Sequence, residues 1–171
     1  MGNRLSANFF TRDVLDVAPG LIGKTLVRQF GDNSIQKYTI TETEAYRGGE
    51  DRACHANKGK TKRTEVMFRE GGLVYVYLIY GMYWMLNFVT GEENDSSAVL
   101  IRGIDSISGP GKVGRELQLD KSFYGENLFL STRIWVEESG RLPDYSTSER
   151  VGIDYAGEPW ISKQWRYIIK Q

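Results

Sequence analysis

Hydrophobic residues follow a helical spacing near the start of the chain and a strand-like alternation after it. Val14, Leu15 and Ala18 fit one face of a short helix. Thr11 is the expected N-cap of this helix, and Pro19 is expected to break or kink it. The pattern therefore predicts one short helix before the first strands.

The segment that follows is rich in Val, Ile, Thr and Tyr, residue types that favour strands. Lys24 to Phe30 and Ile35 to Tyr46 form the two arms, and the polar residues Gly31 to Ser34 form the turn, which together predict a β-hairpin. Because side chains alternate along a strand, one face of the second arm is expected to carry every second residue. These residues are Tyr38, Ile40, Glu42, Glu44 and Tyr46.

The middle of the chain holds an uncharged run from Leu73 to Val89. This run is shorter than the roughly 20 apolar residues of a membrane-spanning helix, and it contains four tyrosines as well as Asn87. We therefore expect two buried strands, Leu73 to Tyr80 and Tyr83 to Val89, and a further strand at Ala98 to Ile104 after a polar turn.

The last third of the chain predicts one short helix and several short strands. Pro110 lies at the start of the expected helix, Val113 to Leu119, where its missing N–H costs nothing. The expected strands are Leu128 to Leu130, Arg133 to Val136 and Arg166 to Ile169. Together the elements predict a single α+β domain over residues 1–171, with a mostly antiparallel curved sheet or partly closed barrel and a few short helices.

Composition and charge narrow the function classes. Twenty-two Lys and Arg balance twenty-two Asp and Glu, so a nucleic-acid site would have to be a local patch. The segment Arg47 to Arg63 supplies one, since it lacks periodicity and holds six basic residues. We expect a long exposed loop here, either functional or simply solvated and flexible. The basic residues are Arg47, Arg52, Lys58, Lys60, Lys62 and Arg63.

Cysteine and histidine usage excludes two classes of site. One Cys cannot form an intramolecular disulfide, and one Cys with one His cannot build a Cys/His zinc site, which excludes a zinc deaminase. The first twelve residues contain no apolar segment of the kind found in secretory signals, so we expect a protein of the cytoplasm or its nucleic-acid compartment.

The candidate chemistry begins with two carboxylates on one strand face. Glu42 and Glu44 could serve acid/base chemistry on an acetal-like bond, or they could be an ordinary exposed acidic face. Tyr46 beside Glu44 favours the first interpretation, because an aromatic ring next to a carboxylate is typical of a pocket for a flat ligand. Arg102 lies in an otherwise apolar strand, where its charge needs an ion-pair partner or a cavity.

Aromatic residues are concentrated in the predicted hairpin of the central run. Tyrosines in strands mostly serve core or cross-strand packing, and alternation places Tyr75 and Tyr77 on one face. Tyr80 differs because Gly81 follows it at the bend, where a side chain projects outward and could enter a base stack. His55 adjoins Cys54, but adjacent residues seldom face one another, which argues against a Cys–His nucleophilic pair.

The motifs, taken in order, closely resemble the alkyladenine (3-methylpurine) DNA glycosylase family over nearly the whole chain, and the absence of a long N-terminal extension resembles its compact bacterial members. Each motif is weak alone, but the ordered set is very specific. The runs are Glu42-Thr43-Glu44-Ala45-Tyr46, Asp51-Arg52-Ala53-Cys54-His55, Thr61-Lys62-Arg63-Thr64, Met67-Phe68, Val74 to Tyr83, Asn87, Ala98 to Arg102, Gly109-Pro110-Gly111-Lys112 and Arg150 to Glu158.

The resemblance implies a monofunctional enzyme that hydrolyses the bond between a damaged purine and deoxyribose with water, without metal or cofactor. Glu44 would be the general base, and Arg102 would hold that carboxylate and the water in place. By the same resemblance, Glu42 has no catalytic role and is structural.

The resemblance also assigns residues around the base and along the DNA. Electron-rich rings would favour an alkylated, cationic purine through cation–π attraction. Tyr80 would fill the gap left by the flipped nucleotide. The expected pocket residues are Tyr46, His55, Tyr77, Asn87, Val151 and Gly152, and the expected phosphate contacts are Lys60, Lys62, Arg63, Lys112 and Lys121. The expected partner is damaged duplex DNA, bound by a monomer.

Two stretches depart from the family pattern without touching the expected chemistry. Gly103-Ile104-Asp105-Ser106 replaces an Ala-x-Glu-Pro sequence after the arginine, and Gly114-Arg115-Glu116 interrupts an expected apolar helix start. Trp84 and Met85 are expected to change packing behind the hairpin.

Two other function classes stay open at the level of sequence. A non-catalytic nucleic-acid-binding module would use the tyrosine hairpin for stacking but would leave Glu44 and Arg102 without purpose. A sugar hydrolase would need Glu42 and Glu44 to straddle a substrate, which two side chains on one strand face cannot easily do. The sequence does not rank 3-methyladenine, 7-methylguanine, hypoxanthine and ethenoadenine as lesions.

Overall fold

The computed structural model describes residues 2–171 as one α+β domain. Nine antiparallel strands form its sheet, and three short α-helices and several 3₁₀ turns surround it. The helices are α1 (Ala7–Phe10), α2 (Val14–Gly20) and α3 (Pro110–Glu116). The strands are β1 (Thr25–Gln29), β2 (Ile35–Tyr46), β3 (Val74–Ile79), β4 (Tyr83–Thr90), β5 (Ser97–Ile104), β6 (Ile107–Ser108), β7 (Ile134–Glu137), β8 (Tyr145–Ser148) and β9 (Arg166–Ile169).

The sheet runs in the order β3-β4-β5-β2-β1-β7, with β6 on β5, β9 on β2 and β8 on β9. Its two ends do not pair, so the sheet stays open instead of closing into a barrel. The twelve-residue strand β2 is its axis, because β1 pairs with its first half while β5 and β9 flank its second half. Glu44 therefore lies between Leu100 of β5 and Arg166 of β9.

An irregularity in β2 overturns part of the predicted alternation. The register with β5 shifts on both sides of Glu42, as in a β-bulge. Before the shift, Tyr38 and Ile40 enter the main core, and after it Ala45 does so, whereas Glu42, Glu44 and Tyr46 are absent from that core. The prediction that Tyr38 and Ile40 share the face of Glu44 is wrong, because one irregular residue exchanges the two faces.

The helix before the first strand begins at a different cap from the one predicted. The Asp13 carboxylate accepts a hydrogen bond from the Leu15 N–H at 2.8 Å and caps α2, while Thr11 ends α1. Pro19 lies inside the last turn of α2, where the helix ends as expected.

The β3–β4 hairpin matches the prediction for the central run. Its turn has the Met82 N–H bonded to the Ile79 carbonyl at 3.1 Å, and Tyr80 and Gly81 both have positive φ (53° and 65°). Positive φ at both central positions is the requirement of a type I′ turn. Gly81 meets it freely, whereas Tyr80 adopts it against its steric preference.

Helix α3 packs directly against the start of β4. A Cβ atom at Gly114 would lie 1.9 Å from the Trp84 carbonyl oxygen, so only glycine permits this approach. Packing thus explains why Gly114 interrupts the expected apolar helix start. The predicted strand at Leu128 to Leu130 is wrong, since these residues form a turn, and the strand β8 had no prediction.

The main hydrophobic core lies between one face of the sheet and the three helices. A smaller cluster on the other face includes Cys54, Ala56 and Met67, so much of the first part of the Arg47–Arg63 segment is packed, although Arg52 is exposed. Residues 57–63 of that segment are exposed, as predicted. Within residues 2–171, no helix has the length and hydrophobicity needed to cross a lipid bilayer.

Candidate active site

A cleft of about 390 Å³ opens on the face of the sheet that points away from the main hydrophobic core. This volume is within the range of small-molecule sites in proteins. The cleft brings together all six predicted pocket residues, which come from distant parts of the chain, and the predicted catalytic residue Arg102. The pocket residues are Tyr46, His55, Tyr77, Asn87, Val151 and Gly152.

Glu44 lies behind this cleft and has no exposed surface. Its Oε2 accepts a hydrogen bond from the Tyr46 hydroxyl at 2.6 Å, and its Oε1 accepts one from the Val151 N–H at 2.8 Å. Burial raises the pKa of the Glu44 carboxyl, and the charge of Arg102 and these two hydrogen bonds counteract only part of that rise. A carboxylate with a raised pKa is suited to accept a proton.

Arg102 contacts both carboxylates of β2. Its Nε lies 3.1 Å from Glu42 Oε1 and 3.5 Å from Glu44 Oε1. The same Glu42 oxygen also accepts from Arg166 Nε at 2.6 Å. Glu42 is therefore neutralised by two guanidinium groups, which fits a structural role and leaves it unable to straddle a sugar with Glu44.

Aromatic rings form the walls of the cleft. The ring centroids of His55 and Tyr77 lie 4.5 Å apart in an edge-to-face arrangement, and those of Tyr75 and Tyr77 lie 5.4 Å apart. His55 Nδ1 is 2.9 Å from the Tyr75 hydroxyl. Burial, aided by the charge of Arg63, lowers the pKa of His55 to about 4, so its ring is neutral at pH 7.

The Cys54 and His55 side chains do not form a nucleophilic pair. The Cys54 thiol points to the Ser96 carbonyl at 3.7 Å, and burial raises its pKa to about 12. Such a thiol is inert at neutral pH. Within residues 2–171, no group of three or more His, Cys, Asp or Glu side chains is arranged to hold a metal ion.

Asn87 is buried in the floor of the cleft between β3 and β5. Its Nδ2 donates to the Tyr75 carbonyl at 3.2 Å and to the Met85 carbonyl at 3.4 Å. These bonds fix the side-chain amide in one orientation relative to the cleft. A fixed polar group at this depth can discriminate between ligands by their donors and acceptors.

A buried ion pair that the sequence pattern did not single out fixes the position of Val151. The Arg150 guanidinium donates to both oxygens of Asp51, at 2.6 and 3.0 Å, and to the Ala45 carbonyl at 3.0 Å, and neither charged side chain is exposed. It thereby ties Val151 to the end of β2, where the Val151 N–H meets Glu44. Arg150 and Asp51 are 99 residues apart, so no local pattern could pair them.

The tip of the β3–β4 hairpin stands at the mouth of the cleft. The Tyr80 side chain is 89% exposed, the largest exposure among the big hydrophobic residues of the described chain. Tyr80 also lines the cleft mouth. The prediction that this side chain projects outward is confirmed.

The predicted phosphate-contacting residues are all exposed, but they differ in their distance from the cleft. The Arg63 guanidinium lies 5.1 Å from the ring centroid of Tyr77, at the cleft wall. Lys112 follows Pro110, which lines the cleft, in the first turn of α3. Lys121 begins a 3₁₀ turn that ends at Phe123, and it is not among the residues that line the cleft.

Comparison with known proteins identifies the family. The family model described as "Methylpurine-DNA glycosylase (MPG)" matches residues 8–108 and 105–171. The chain belongs to this family. A Rickettsia felis protein named as a predicted 3-methyladenine DNA glycosylase is 44% identical over 96% of this chain and 92% of its own length. A protein of the same name from Psychrobacter cryohalolentis is 40% identical over 94% of this chain and 89% of its own length.

As a member of the methylpurine-DNA glycosylase family, the chain is a DNA glycosylase, and the resemblance drawn from its motifs is confirmed. A non-catalytic binding module is therefore set aside. The matched residues include the three that form hydrogen bonds or an ion pair with the Glu44 carboxylate: Tyr46, Arg102 and Val151.

Proposed function

We propose that this glycosylase flips damaged purines out of duplex DNA and hydrolyses their N-glycosidic bond with water. It leaves an abasic site and does not cut the strand. The observation that carries the proposal is a buried carboxylate with a raised pKa, Glu44, directly behind an aromatic cleft whose mouth holds an exposed tyrosine on a rigid turn.

The chemical step breaks the bond between the sugar C1′ and the purine nitrogen, and the electron pair leaves with the base. A purine alkylated at a ring nitrogen carries a positive charge and departs neutral, so it needs no proton from the enzyme. Water adds to C1′ of the oxocarbenium-like sugar and gives its proton to Glu44. The negative charge of Glu44 also stabilises the positive sugar.

Water reaches Glu44 only past the groups that cover it. Tyr46 and Val151 each make a short hydrogen bond to the carboxylate, whereas Arg102 approaches it only to 3.5 Å and binds Glu42 more closely. Arg102 is also 14% exposed. Arg102 is therefore the covering group that gives way and, in its new position, holds the water against Glu44.

The cleft selects its base by its rings. A cationic purine between Tyr46, His55 and Tyr77 gains cation–π attraction that an unmodified purine lacks. Because His55 is neutral at pH 7, it does not repel that cation. Val151 and Gly152 provide backbone at the cleft edge, and Asn87 rejects guanine by its fixed amide.

Tyr80 and exposed basic residues contact the DNA outside the base pocket. Tyr80 enters the base stack and offsets part of the few kcal/mol lost when a nucleotide is flipped. The phosphate contacts, which give affinity without sequence preference, come from Lys60, Lys62, Arg63, Lys112 and Lys121. The enzyme acts as a monomer on double-stranded DNA, in the cytoplasm at the nucleoid.

The test is product analysis on duplex DNA methylated with dimethyl sulfate. The expected result is release of free 3-methyladenine, detected by chromatography, with the strand intact until alkali cleaves the abasic site. Heated enzyme gives the spontaneous background. Release no faster than this background would contradict the function, and strand cleavage without alkali would contradict the monofunctional mechanism.

A further inference from the structure

The ring and the hydroxyl of Tyr46 contact different parts of the site. Its ring lines the base cleft, and its hydroxyl donates to the Glu44 carboxylate at 2.6 Å. The cleft wall assigned to Tyr46 by the family resemblance uses only the ring. The hydroxyl therefore needs a separate explanation.

The Tyr46 hydroxyl is held as a permanent donor. Burial, followed by the neighbouring charge of Glu44, raises the pKa of the Tyr46 hydroxyl well above its ordinary value, so it keeps its proton throughout the working range of pH. The Arg150 guanidinium lies 4.8 Å from the ring centroid and fixes the ring in place.

Glu44 has few other donors that favour its ionised form. Arg102 is shared with Glu42 and lies nearer to it, so its charge is divided between two carboxylates. Val151 supplies one N–H to Oε1, and the Tyr46 hydroxyl is the donor to Oε2. A carboxylate without exposed surface depends on such bonds to stay ionised.

The charged and titratable groups near Glu44 all influence how readily its carboxyl ionises. The arginines favour the carboxylate by positive charge and the Tyr46 hydroxyl favours it by its hydrogen bond, whereas Glu42 opposes it by negative charge. Burial raises the pKa of Tyr77 and of Tyr155, so both phenols are neutral. The groups are Tyr46 and Glu42 on β2, Arg102 on β5, Arg166 on β9, Arg150 beside Val151, Tyr77 on β3 and Tyr155.

We propose that Tyr46 is a positioning residue whose hydroxyl orients the Glu44 carboxylate and keeps it ionised. This role rests on the proposed function. The residue that walls the base cleft thus also sets the lowest pH at which Glu44 can accept a proton from water. The coupling means that cleft shape and the working pH range are not independent in this enzyme.

The experiment compares two substitutions at one position. Tyr46→Phe keeps the ring and removes the donor, while 3-fluorotyrosine at position 46 keeps the ring and strengthens the donor, because fluorine makes a phenol more acidic. Single-turnover release of 3-methyladenine from methylated duplex DNA is measured from pH 5 to pH 9. This cationic base needs no proton to depart, so the acid limb of the profile reports the ionisation of Glu44.

Opposite shifts are expected from the two substitutions. The acid limb moves to higher pH in Tyr46→Phe, with about tenfold more loss of rate at pH 5 than on the plateau, because the carboxylate loses the donor to Oε2 that favours its ionised form. The limb moves to lower pH with 3-fluorotyrosine. Tyr38→Phe is the matched control, because its hydroxyl also donates to a carboxylate, Glu116 Oε1 at 3.0 Å, and not to Glu44; its limb stays in place.

The outcomes separate this role from the proposed function. A limb at the wild-type pH in both variants, or a uniform loss of rate at every pH, overturns the role of the Tyr46 hydroxyl while leaving the hydrolysis intact. A wild-type enzyme that releases no base contradicts the proposed function and this role with it. Should Tyr46→Phe fail to fold, as judged by circular dichroism, the nearly isosteric 3-fluorotyrosine alone decides, because packing damage does not move a limb to lower pH.

Discussion

At the scale of single residues, the site depends on buried charges that are paired in unequal ways. Glu44 has hydrogen bonds from a hydroxyl and a backbone N–H, whereas Glu42 has two guanidinium partners. The sequence could predict that Glu44 and Tyr46 meet, because they share a strand face two residues apart. It could not predict the pairing of Arg150 with Asp51, since nothing in a local pattern specifies a contact across 99 residues.

The Arg150–Asp51 pair gives the clearest prediction of stability. Arg150→Ala leaves the Asp51 carboxylate buried without its partner, and breaking such a pair costs about 3–5 kcal/mol. Denaturant unfolding at pH 7 measures the free energy of unfolding of the variant and the wild type. The control Arg52→Ala removes an exposed arginine from the same loop and should stay within about 0.5 kcal/mol of wild type. Equal stabilities for the two variants would show that the buried pair contributes little.

At the scale of elements, alternation and turn composition predict the strands near the site well. The hairpin β1–β2, the hairpin β3–β4 and the strand β5 all lie where the pattern places them. The prediction of which β2 residues share a face is wrong because of the irregularity at Glu42. A bulge arises from how β2 pairs with β5, and the hydrophobic pattern of β2 does not reveal it. The strand β8 went unpredicted because its sequence, Tyr-Ser-Thr-Ser, has too few apolar residues.

The β3–β4 turn presents Tyr80 in a backbone conformation that suits glycine better. A left-handed conformation costs a non-glycine residue about 1–2 kcal/mol, so folding alone does not favour tyrosine here. Strain of this kind is commonly retained at functional sites. The turn therefore holds the exposed Tyr80 ring at the tip of the hairpin.

Tyr80→Ala tests whether the ring enters the base stack. The substitution leaves the strain of the turn unchanged, because alanine has the same steric cost at positive φ as tyrosine. We expect binding to a duplex with a flipped-out lesion to weaken by roughly tenfold, the order of one lost stacking contact. The fluorescence rise of 2-aminopurine next to the lesion, which reports unstacking, should also fall. Leu130→Ala is the control, because it removes another exposed hydrophobic side chain far along the chain. Unchanged binding and fluorescence in Tyr80→Ala would exclude the wedge role.

At the scale of the whole molecule, the chain has no net charge, and its predicted pocket residues all line one cleft. Although the net charge is zero, four exposed basic residues lie close together in one loop: Lys58, Lys60, Lys62 and Arg63. The open sheet brings β3, β5 and the segment near Val151 to the same cleft. The fold class followed from the order of strands and short helices. The cleft did not, because its volume and depth depend on how β2 lies between β5 and β9, which only the assembled sheet determines.

Glu44→Gln shows whether Glu44 activates the attacking water. The substitution keeps the shape of the side chain but removes its charge and basicity; the amide oxygen can still accept from the Val151 N–H, and the amide NH₂ can donate to the Tyr46 hydroxyl. Binding to methylated duplex DNA and single-turnover base release are measured on the same preparation, with the exposed Glu93→Gln as control. If Glu44 is the general base, the variant binds within a few-fold of wild type and excises the base more slowly by roughly 10²–10⁴-fold. Excision by Glu44→Gln at the rate of the Glu93→Gln control would contradict that role.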